Sequence, residues 1–321
     1  MGRRGIRYGA VSLEDESLHW LPVADRGSTY ALACTTDDRL LAGSFHGGLF
    51  RSTDTGHAVW NGVNTAGVGE IAVVDSNTYY VGTWYSGTLK STNGGVSWEP
   101  VNYGLAANDV YALVADPAVP GHLFAGTEMG LFVSDDGGAN WDRPAGTLPG
   151  RLVSELAFSG DVLLAVTDLG LYRSDDGGAS WLTPTVDLPT ASINVLLASS
   201  PVGTVYAGTA LGPYASTDSG DTWTAWGTGM ADQDVHALTI DPADASHTVA
   251  GTTEGLFVSV DGGDTWTPDT HEGLTGIASQ IGALAFCPDG GDANLYLGAG
   301  GGVYALREAK RKVYLPIVMR Q

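Results

Sequence analysis

Three carboxylates, Glu128, Asp168 and Glu254, occupy equivalent places in a repeating pattern and offer the clearest catalytic chemistry in the sequence. Two suitably separated carboxyl groups can hydrolyse a glycosidic bond, one acting as general acid and the other as base or nucleophile. Each of these residues falls in a predicted turn between strands, however, and turns attract acidic residues for structural reasons. Solvated turn acids are therefore the favoured interpretation, and we assign no catalytic residue.

The same turns carry aromatic and apolar side chains that a strand core does not need. Phe45 and His46 fall in one repeat, and Trp84 and Tyr85 fall in the next. Such rings can stack on a sugar or anchor a protein partner, and packing between neighbouring turns explains them equally well. The predicted ligand or partner face consists of Phe45, His46, Trp84, Tyr85, Glu128, Met129, Asp168 and Glu254.

Metal and cofactor chemistry find no support in the sequence. The seven histidines and two cysteines lack the spacing of a zinc site. Short Gly-x-Gly strings fall in predicted hairpins rather than before a helix, so they do not form a phosphate-binding loop. We expect neither a metal nor a cofactor.

The elements that position these turns repeat along the chain. The units share an apolar inner strand such as Val110–Leu113, a second strand ending in Ala-Gly-Thr or a similar triplet, and a third strand whose clearest copies read Gly-Leu-Phe/Tyr. A Gly-rich turn that closes with Trp follows the third strand in every unit except the seventh. Short strands separated by glycine turns are the signature of an all-β array. The inner strands number seven, which predicts a single seven-bladed β-propeller with four-stranded antiparallel blades.

The closing turn is clearest at Ser174–Trp181 (SDDGGASW), and its Trp recurs every 38 to 43 residues. Glycine supplies positive φ angles, the acidic residue accepts backbone hydrogen bonds, and the Trp anchors the turn in the core. The structural residues of the copies are Asp54, Trp60, Asn93, Trp98, Asp136, Trp141, Asp176, Trp181, Asp218, Trp223, Asp261 and Trp266.

This motif resembles the Asp-box, or BNR repeat, of β-propellers of the sialidase, xyloglucanase, sortilin and photosystem II assembly-factor kinds. The resemblance implies that the box is a folding device away from the active face. A sialidase would also need an arginine cluster and a Phe/Tyr-Arg-Ile-Pro segment, and the sequence lacks that segment. No catalytic residue is therefore carried over.

Charge narrows the set of partners. The chain has 36 acidic and 15 basic residues, a net charge of −21, which disfavours nucleic acid and anionic membranes. No apolar run is long enough to span a bilayer. The basic start lacks the apolar region of a signal peptide. Two locations stay open: extracellular or cell-surface if an export signal is missing from this chain, and cytoplasmic otherwise.

We divide the chain into a polar lead-in (1–16), the propeller (17–306) and a basic, then apolar, tail (307–321). Residues 17–23 resemble an outer strand and are expected to complete the last blade, so that strands from both chain ends close the ring. The tail is expected to add a strand or cover to that blade; docking on another subunit is the alternative.

Cys34 and Cys287 are expected as free buried thiols, although a disulfide across the ring closure is geometrically conceivable. For the whole chain we expect a non-catalytic binding or assembly scaffold for a protein partner, with self-association included. A glycan-binding module or a glycoside hydrolase acting on extracellular carbohydrate is the alternative.

Overall fold

Short apolar strands joined by glycine turns form seven antiparallel sheets, which are the blades of a β-propeller. The computed structural model describes residues 7–24, 28–52, 60–63, 67–186, 188, 192–199, 203–271, 281–289 and 292–317. None of these residues belongs to a helix that could cross a membrane. The predicted all-β, seven-bladed architecture is confirmed.

The strands of blades one to three are β2 (Thr29–Cys34), β3 (Leu40–Ser44), β4 (Gly48–Ser52), β5 (Trp60–Val63), β6 (Val68–Val73), β7 (Tyr79–Thr83), β8 (Gly87–Ser91), β9 (Glu99–Pro100), β10 (Val110–Ala115), β11 (Leu123–Thr127) and β12 (Gly130–Ser134). Blade one consists of strands β2 to β5, blade two of β6 to β9 and blade three of β10 to β12.

Blades four to six follow with the same order of inner, second and third strands. They are β13 (Val153–Ser159), β14 (Val162–Thr167), β15 (Gly170–Ser174), β16 (Ile193–Ser199), β17 (Thr204–Thr209), β18 (Gly212–Ser216), β19 (Thr224–Ala225), β20 (Val235–Ile240), β21 (Thr248–Thr252), β22 (Gly255–Ser259) and β23 (Thr267–Pro268).

The seventh blade takes strands from both chain ends, as predicted. It contains β24 (Ala283–Asp289), β25 (Asp292–Ala299) and β26 (Gly302–Ile317), and its outer strand is β1 (Arg7–Ala24). Trp20 pairs with Leu306, and the antiparallel register continues to Arg7 opposite Ile317. The lead-in and the tail therefore pair with each other in a ribbon that runs past the expected limits at residues 17 and 306.

Blades three and four depart from the four-stranded prediction, because their outer strands shrink to single bridges, Val133 to Asp142 and Arg173 to Leu182. Each bridge exchanges two backbone hydrogen bonds. In an antiparallel ladder the next hydrogen-bonded pair lies two residues on. That residue is Pro144 in blade three and Pro184 in blade four. Proline has no N–H to donate, so the ladder ends.

The hydrophobic core lies between blades. One buried cluster joins Leu41 and Leu49 of blade one to Tyr79 and Val81 of blade two. Glycines near the end of six of the seven second strands make this approach possible, and Val166 occupies the equivalent place in blade four. A Cβ on Gly82 would lie 2.8 Å from Val110 of the next blade, and one on Gly298 would lie 2.7 Å from Thr29 of the first. Blade seven therefore packs against blade one in the same way as blade two packs against blade three.

The Gly-rich turns are held by a repeated set of hydrogen bonds. In Ser174–Trp181, Ser174 Oγ donates to Asp176 Oδ1 (2.8 Å) and accepts from the N–H of Gly178 (2.7 Å). Asp176 also accepts from the N–H (2.8 Å) and hydroxyl (2.6 Å) of Ser180. Equivalent contacts occur in the turns beginning at Ser134, Ser216 and Ser259. In the Ser134 turn the side-chain amide of Asn140 donates in place of the hydroxyl, and in blade two Asn93 replaces the aspartate. Asp54 and the Trp60 side chain lie outside the described residues.

The expectation of two free thiols is wrong, because Cys34 and Cys287 form a disulfide with their Cα atoms 5.3 Å apart. The inner strands β2 and β24 are neighbours in the closed ring. Each cysteine lies in one of these strands, beyond the Ala-rich stretch that faces the channel. Ring closure therefore brings the two thiols together.

Candidate functional site at the mouth of the central channel

A β-bulge occurs near the start of six of the seven inner strands, always at the same repeat position. The register breaks between Thr29 and Ala31 in β2, for example, and leaves Tyr30 unpaired opposite the second strand. A bulged residue stands outside the ladder and its side chain is re-aimed. The bulged residues are Tyr30, Gly69, Tyr111, Ser154, Asn194 and His236, and Gly282 occupies the corresponding place in blade seven.

All seven of these residues line one cavity of about 480 Å³ at the end of the central channel, which we call the channel mouth. Trp84, from the turn between β7 and β8, lines it too. Blades one to three supply the aromatic side, with Tyr30, Trp84 and Tyr111. Blades four to six supply the polar side, with Ser154, Asn194 and His236. The mouth therefore has an aromatic arc and a hydrogen-bonding arc.

The aromatic arc is a packed cluster. The Trp84 ring lies 4.8 Å from Phe45 and 5.7 Å from Tyr30, and Phe45 lies 4.5 Å from the ring of His46. A Cβ on Gly69 would lie 3.1 Å from the Trp84 indole, so the missing side chain of that bulge makes room for the Trp84 ring. Phe45 thus packs between His46 and Trp84, and of these three predicted residues only Trp84 lines the cavity.

The polar arc is organised by a carboxylate. The side-chain amide of Asn194 donates to Asp234 (2.8 Å) and to the carbonyl of Val235 (3.0 Å). Asp234 also lies 3.3 Å from Nε2 of His236. These contacts hold two neighbouring bulge residues in fixed positions at the rim.

Two carboxyl groups lie one residue deeper, in a connected cavity of about 320 Å³. Glu70 and Glu155 stand where other inner strands have alanine or valine. Burial raises the pKa of Glu70 to about 7, although a hydrogen bond from the N–H of Ile71 acts in the opposite direction and lowers it. Burial, together with the charge of Glu70, raises the pKa of Glu155 well above its ordinary value. The channel floor is therefore a weakly solvated pair of carboxyl groups that repel one another when ionised.

The predicted turn acids have other contacts. Both oxygens of Glu128 accept backbone hydrogen bonds, from Asn108 (3.3 Å) and Asp109 (3.2 Å). Asp168 accepts from the N–H groups of Arg151 (2.8 Å) and Leu152 (3.3 Å), and these bonds lower its pKa. Each carboxylate thus fastens the loop that leads into its own blade. Glu254 is an exposed residue of the equivalent turn in blade six.

Tyr85 and Met129 lie on the same rim as the channel mouth and outside the aromatic cluster. Their exposed fractions are 72% and 43%. Tyr85 has a φ of 75°, an unusual value for a bulky residue. Its N–H donates to Asp109 of the next blade (2.8 Å), which holds the turn in this conformation.

Trp226 and Met230, which lie in the connection between β19 and β20, are buried. Trp226 stacks on Tyr206 at 3.8 Å and donates to the carbonyl of Gly262. Sequence reasoning missed Tyr30, Tyr111, Asn194 and His236 as site residues. The available signal was their shared place as the second and most variable residue of each inner strand, within otherwise similar segments such as TYAL, VYAL, INVL and VHAL.

No protein-family model matches the sequence, and no curated protein matches it significantly. Solved structures do match. The GH74 xyloglucanase from Xanthomonas campestris has a TM-score of 0.72 and 21% identity over 91% of this chain, which spans 54% of the xyloglucanase.

YCF48 from Cyanidioschyzon merolae has a TM-score of 0.68 and 15% identity, over 90% of this chain and 98% of YCF48. The structure of YCF48 bound to D1 peptide has a TM-score of 0.67 and 15% identity, over 94% of this chain and all of that one. At these identities the likeness establishes the seven-bladed propeller fold alone.

Proposed function

We propose that this chain is a non-catalytic binding module that presents its channel mouth to a partner protein or to a second copy of itself. The carrying observation is the ring of seven inner-strand positions that line one cavity of about 480 Å³ with different side chains. That volume lies within the usual range of ligand sites. The regularly repeated Ser-to-Trp turns, which we assign to the Asp-box type, serve as folding devices at the other end of the blades.

Exposed side chains on the same rim support a protein partner. Tyr85 and Met129 are exposed there, and Tyr30 is 48% exposed. Aromatic residues and methionine are enriched at protein interfaces. A bulky residue held at positive φ is a strained feature that favours a functional role. Tyr85 combines this backbone conformation with a ring that is 72% exposed.

The comparisons favour binding over hydrolysis. YCF48 with D1 peptide is matched along its whole length, whereas this chain spans only 54% of the matched xyloglucanase. Glu128 and Asp168 are also engaged by backbone N–H groups. A hydrolytic pair needs one carboxyl group free to give up a proton and another free to act as base or nucleophile.

A glycan-binding module is the second candidate. The channel mouth combines the stacking surfaces of Tyr30 and Trp84 with the hydrogen-bonding side chains of Asn194 and His236. Sugar rings are recognised by this combination of apolar faces and directed polar groups. A binding panel of neutral oligosaccharides, with product release scored in parallel, separates this candidate from the protein-binding one.

Photo-crosslinking tests the proposal. Benzoylphenylalanine replaces Tyr85 in one variant and Val96 in another, both expressed in the native organism. Val96 is a matched control because it belongs to the same blade and is 67% exposed, but it lies in the Gly-rich turn at the other end of β8. We expect a stoichiometric protein adduct at position 85 and none at position 96. Adducts only at position 96, or at neither position, would contradict the proposal.

A further inference from the structure

The channel mouth is acidic as well as aromatic. Glu155 lines the mouth, Glu70 lies below it, and Asp234 contacts the rim residues Asn194 and His236. Among the described residues that line the two cavities there is no lysine and no arginine. Within these described linings, the carboxyl groups of the floor therefore have no lysine or arginine side chain beside them.

The aromatic arc faces this acidic region. Tyr30, Trp84 and Tyr111 line the same cavity, and the faces of such rings attract cations. Burial, followed by the charges of Asp109 and Glu128, raises the pKa of Tyr111, so the surroundings disfavour added negative charge at that ring. Carboxylates on one side and ring faces on the other both favour a positively charged guest.

From this arrangement we propose that the channel mouth takes a lysine or arginine side chain from the partner, with the cationic head directed at Glu155 and Glu70 and the alkyl stem against Tyr30 and Trp84. The inference rests on the proposed function and specifies the residue type that is recognised. An anionic group would be repelled by the floor. A neutral sugar would leave the carboxyl groups desolvated without a counter-charge.

The two cavities are large enough for a lysine or arginine side chain. The cavity of about 480 Å³ at the mouth connects, through shared lining residues, to the 320 Å³ cavity that contains both carboxyl groups. A long side chain can therefore reach the floor while the backbone of the partner stays at the rim. The exposed Tyr85 and Met129 are then available to the rest of the partner.

The test uses the whole chain and capped pentapeptides, acetyl-Gly-Gly-X-Gly-Gly-amide, in which X is lysine, arginine, norleucine or glutamate. Binding is measured by calorimetry near pH 8, where Glu70 is mostly ionised. We expect the lysine or arginine peptide to bind at least about 30-fold more tightly than the norleucine peptide, as for a desolvated charge pair. Equal binding of norleucine and the cationic peptides, or no binding of either cationic peptide, would overturn the inference.

Two charge-neutralising variants complete the design. Glu155→Gln removes one floor carboxylate, and Glu254→Gln removes an exposed turn carboxylate outside the cavity as a matched control. We expect the first to weaken binding of the cationic peptide by about 30-fold or more and the second to change it less than about twofold. Glu155→Gln replaces a desolvated carboxyl group with a neutral amide, so the melting temperature of the variant should be at least as high as that of the wild type. Equal effects of the two variants on binding would also contradict the inference.

The two proposals can fail separately. A crosslinked protein partner at position 85 together with peptides that show no preference for a cation would remove the cation inference and keep the binding module. A cation preference that depends on Glu155, without any crosslink at position 85, would remove the protein-binding proposal and identify a site for a small amine.

Discussion

Cys34 and Cys287 lie 253 residues apart in the sequence and are joined by a disulfide between the inner strands of the first and last blades. The seam that they cross is also bridged by the seventh blade, whose outer strand β1 comes from the start of the chain. The ring is thus closed twice, once by hydrogen bonds and once covalently.

Removing the disulfide should lower the stability of the ring. Because it closes a loop of about 250 residues, we expect Cys34→Ala/Cys287→Ala to lose about 3–5 kcal/mol of unfolding free energy. Guanidinium denaturation measures the loss, and wild-type protein under reducing conditions is the control. A denaturation midpoint equal to that of the oxidised wild type would contradict the expectation.

The same bond bears on where the protein acts. Disulfides persist mainly in oxidising compartments. We expect protein alkylated during lysis of the native source to show no free thiol until it is reduced, and two thiols afterwards. Two thiols before reduction would indicate a reducing compartment and a bond that forms only later.

The channel floor should make stability depend on pH. Burial raises the pKa of Glu70 from 4.5 to about 7, so the folded state holds this proton more tightly than the unfolded state. Stability should therefore fall as pH rises from about 4.5 to about 7 and stay low above that range. We expect Glu70→Gln to be about 1–3 kcal/mol more stable than wild type near pH 8 and equal to it near pH 4.

Thermal and denaturant unfolding across this pH range measure the effect. The ionisable residues Glu155, His236, Tyr30 and Tyr111 line the same channel as Glu70, so the comparison is made between variants at each pH. Glu254→Gln is the control, because it removes an acid from an exposed turn. A stability difference between Glu70→Gln and wild type that does not change with pH would contradict this assignment.

The positive φ of Tyr85 should lower the stability of the folded protein. Its φ of 75° suits glycine, so Tyr85→Gly should raise the melting temperature or leave it unchanged, with about 1 kcal/mol gained from relieved strain. Tyr103 is a matched control, because it is 78% exposed and lies outside the set of positive-φ residues. Tyr103→Gly should lower the melting temperature through added flexibility of the unfolded chain. Shifts of the same sign would contradict the strain argument.

The Gly-rich turns should contribute less to the stability of the protein at low pH. Thr265 donates to Asp261 from its hydroxyl (2.6 Å) and its N–H (2.9 Å), and hydrogen bonds to Thr265 and Ser259 lower the pKa of Asp261 to about 2. The stability contributed by this carboxylate is present above its unfolded pKa and is lost as pH falls toward 2. We expect Asp261→Ala to lower the melting temperature at neutral pH.

Asn93 indicates what a gentler substitution should do. In blade two its Oδ1 accepts from the N–H of Ser97 (2.9 Å) and its amide donates to the Ser97 hydroxyl (2.8 Å). Asp261→Asn can make the same two bonds, so it should unfold at a higher temperature than Asp261→Ala and lose less stability in acid. If the alanine and asparagine variants melted together, the turn would not depend on these bonds.

The fold could be predicted because its determinants repeat. Five of the six closing Trp residues follow a Ser, an Asp or Asn, and a Gly at fixed offsets, and these local groups form their own hydrogen bonds. The second-strand glycine recurs for an equally local reason, since the next blade packs against it. Where one residue changes the outcome, as Pro144 does in blade three, the sequence carried the signal but the hydrogen-bonding register was needed to interpret it.

The channel mouth could not be predicted in the same way. The inner strands read as uniform apolar runs, and simple alternation does not reveal that a bulge turns Tyr30 and His236 toward the channel. The sequence also could not separate the turn residues that line the cavity from those that pack behind it, because only side-chain contacts distinguish them. Trp84 lines the cavity, whereas Phe45 supports it from behind. The disulfide depended on how the ring closes, which places β24 beside β2.

The bulges have a consequence for how such a protein can change over generations. A bulged residue makes no pairing with the second strand, so replacing it leaves the strand ladder and the closing turns intact. In this chain the position already holds Tyr, Gly, Ser, Asn and His on nearly identical backbones. Recognition and folding are thus encoded by separate residues. Mutation or laboratory selection can therefore explore new partners at six places around the channel while the propeller itself is inherited unchanged.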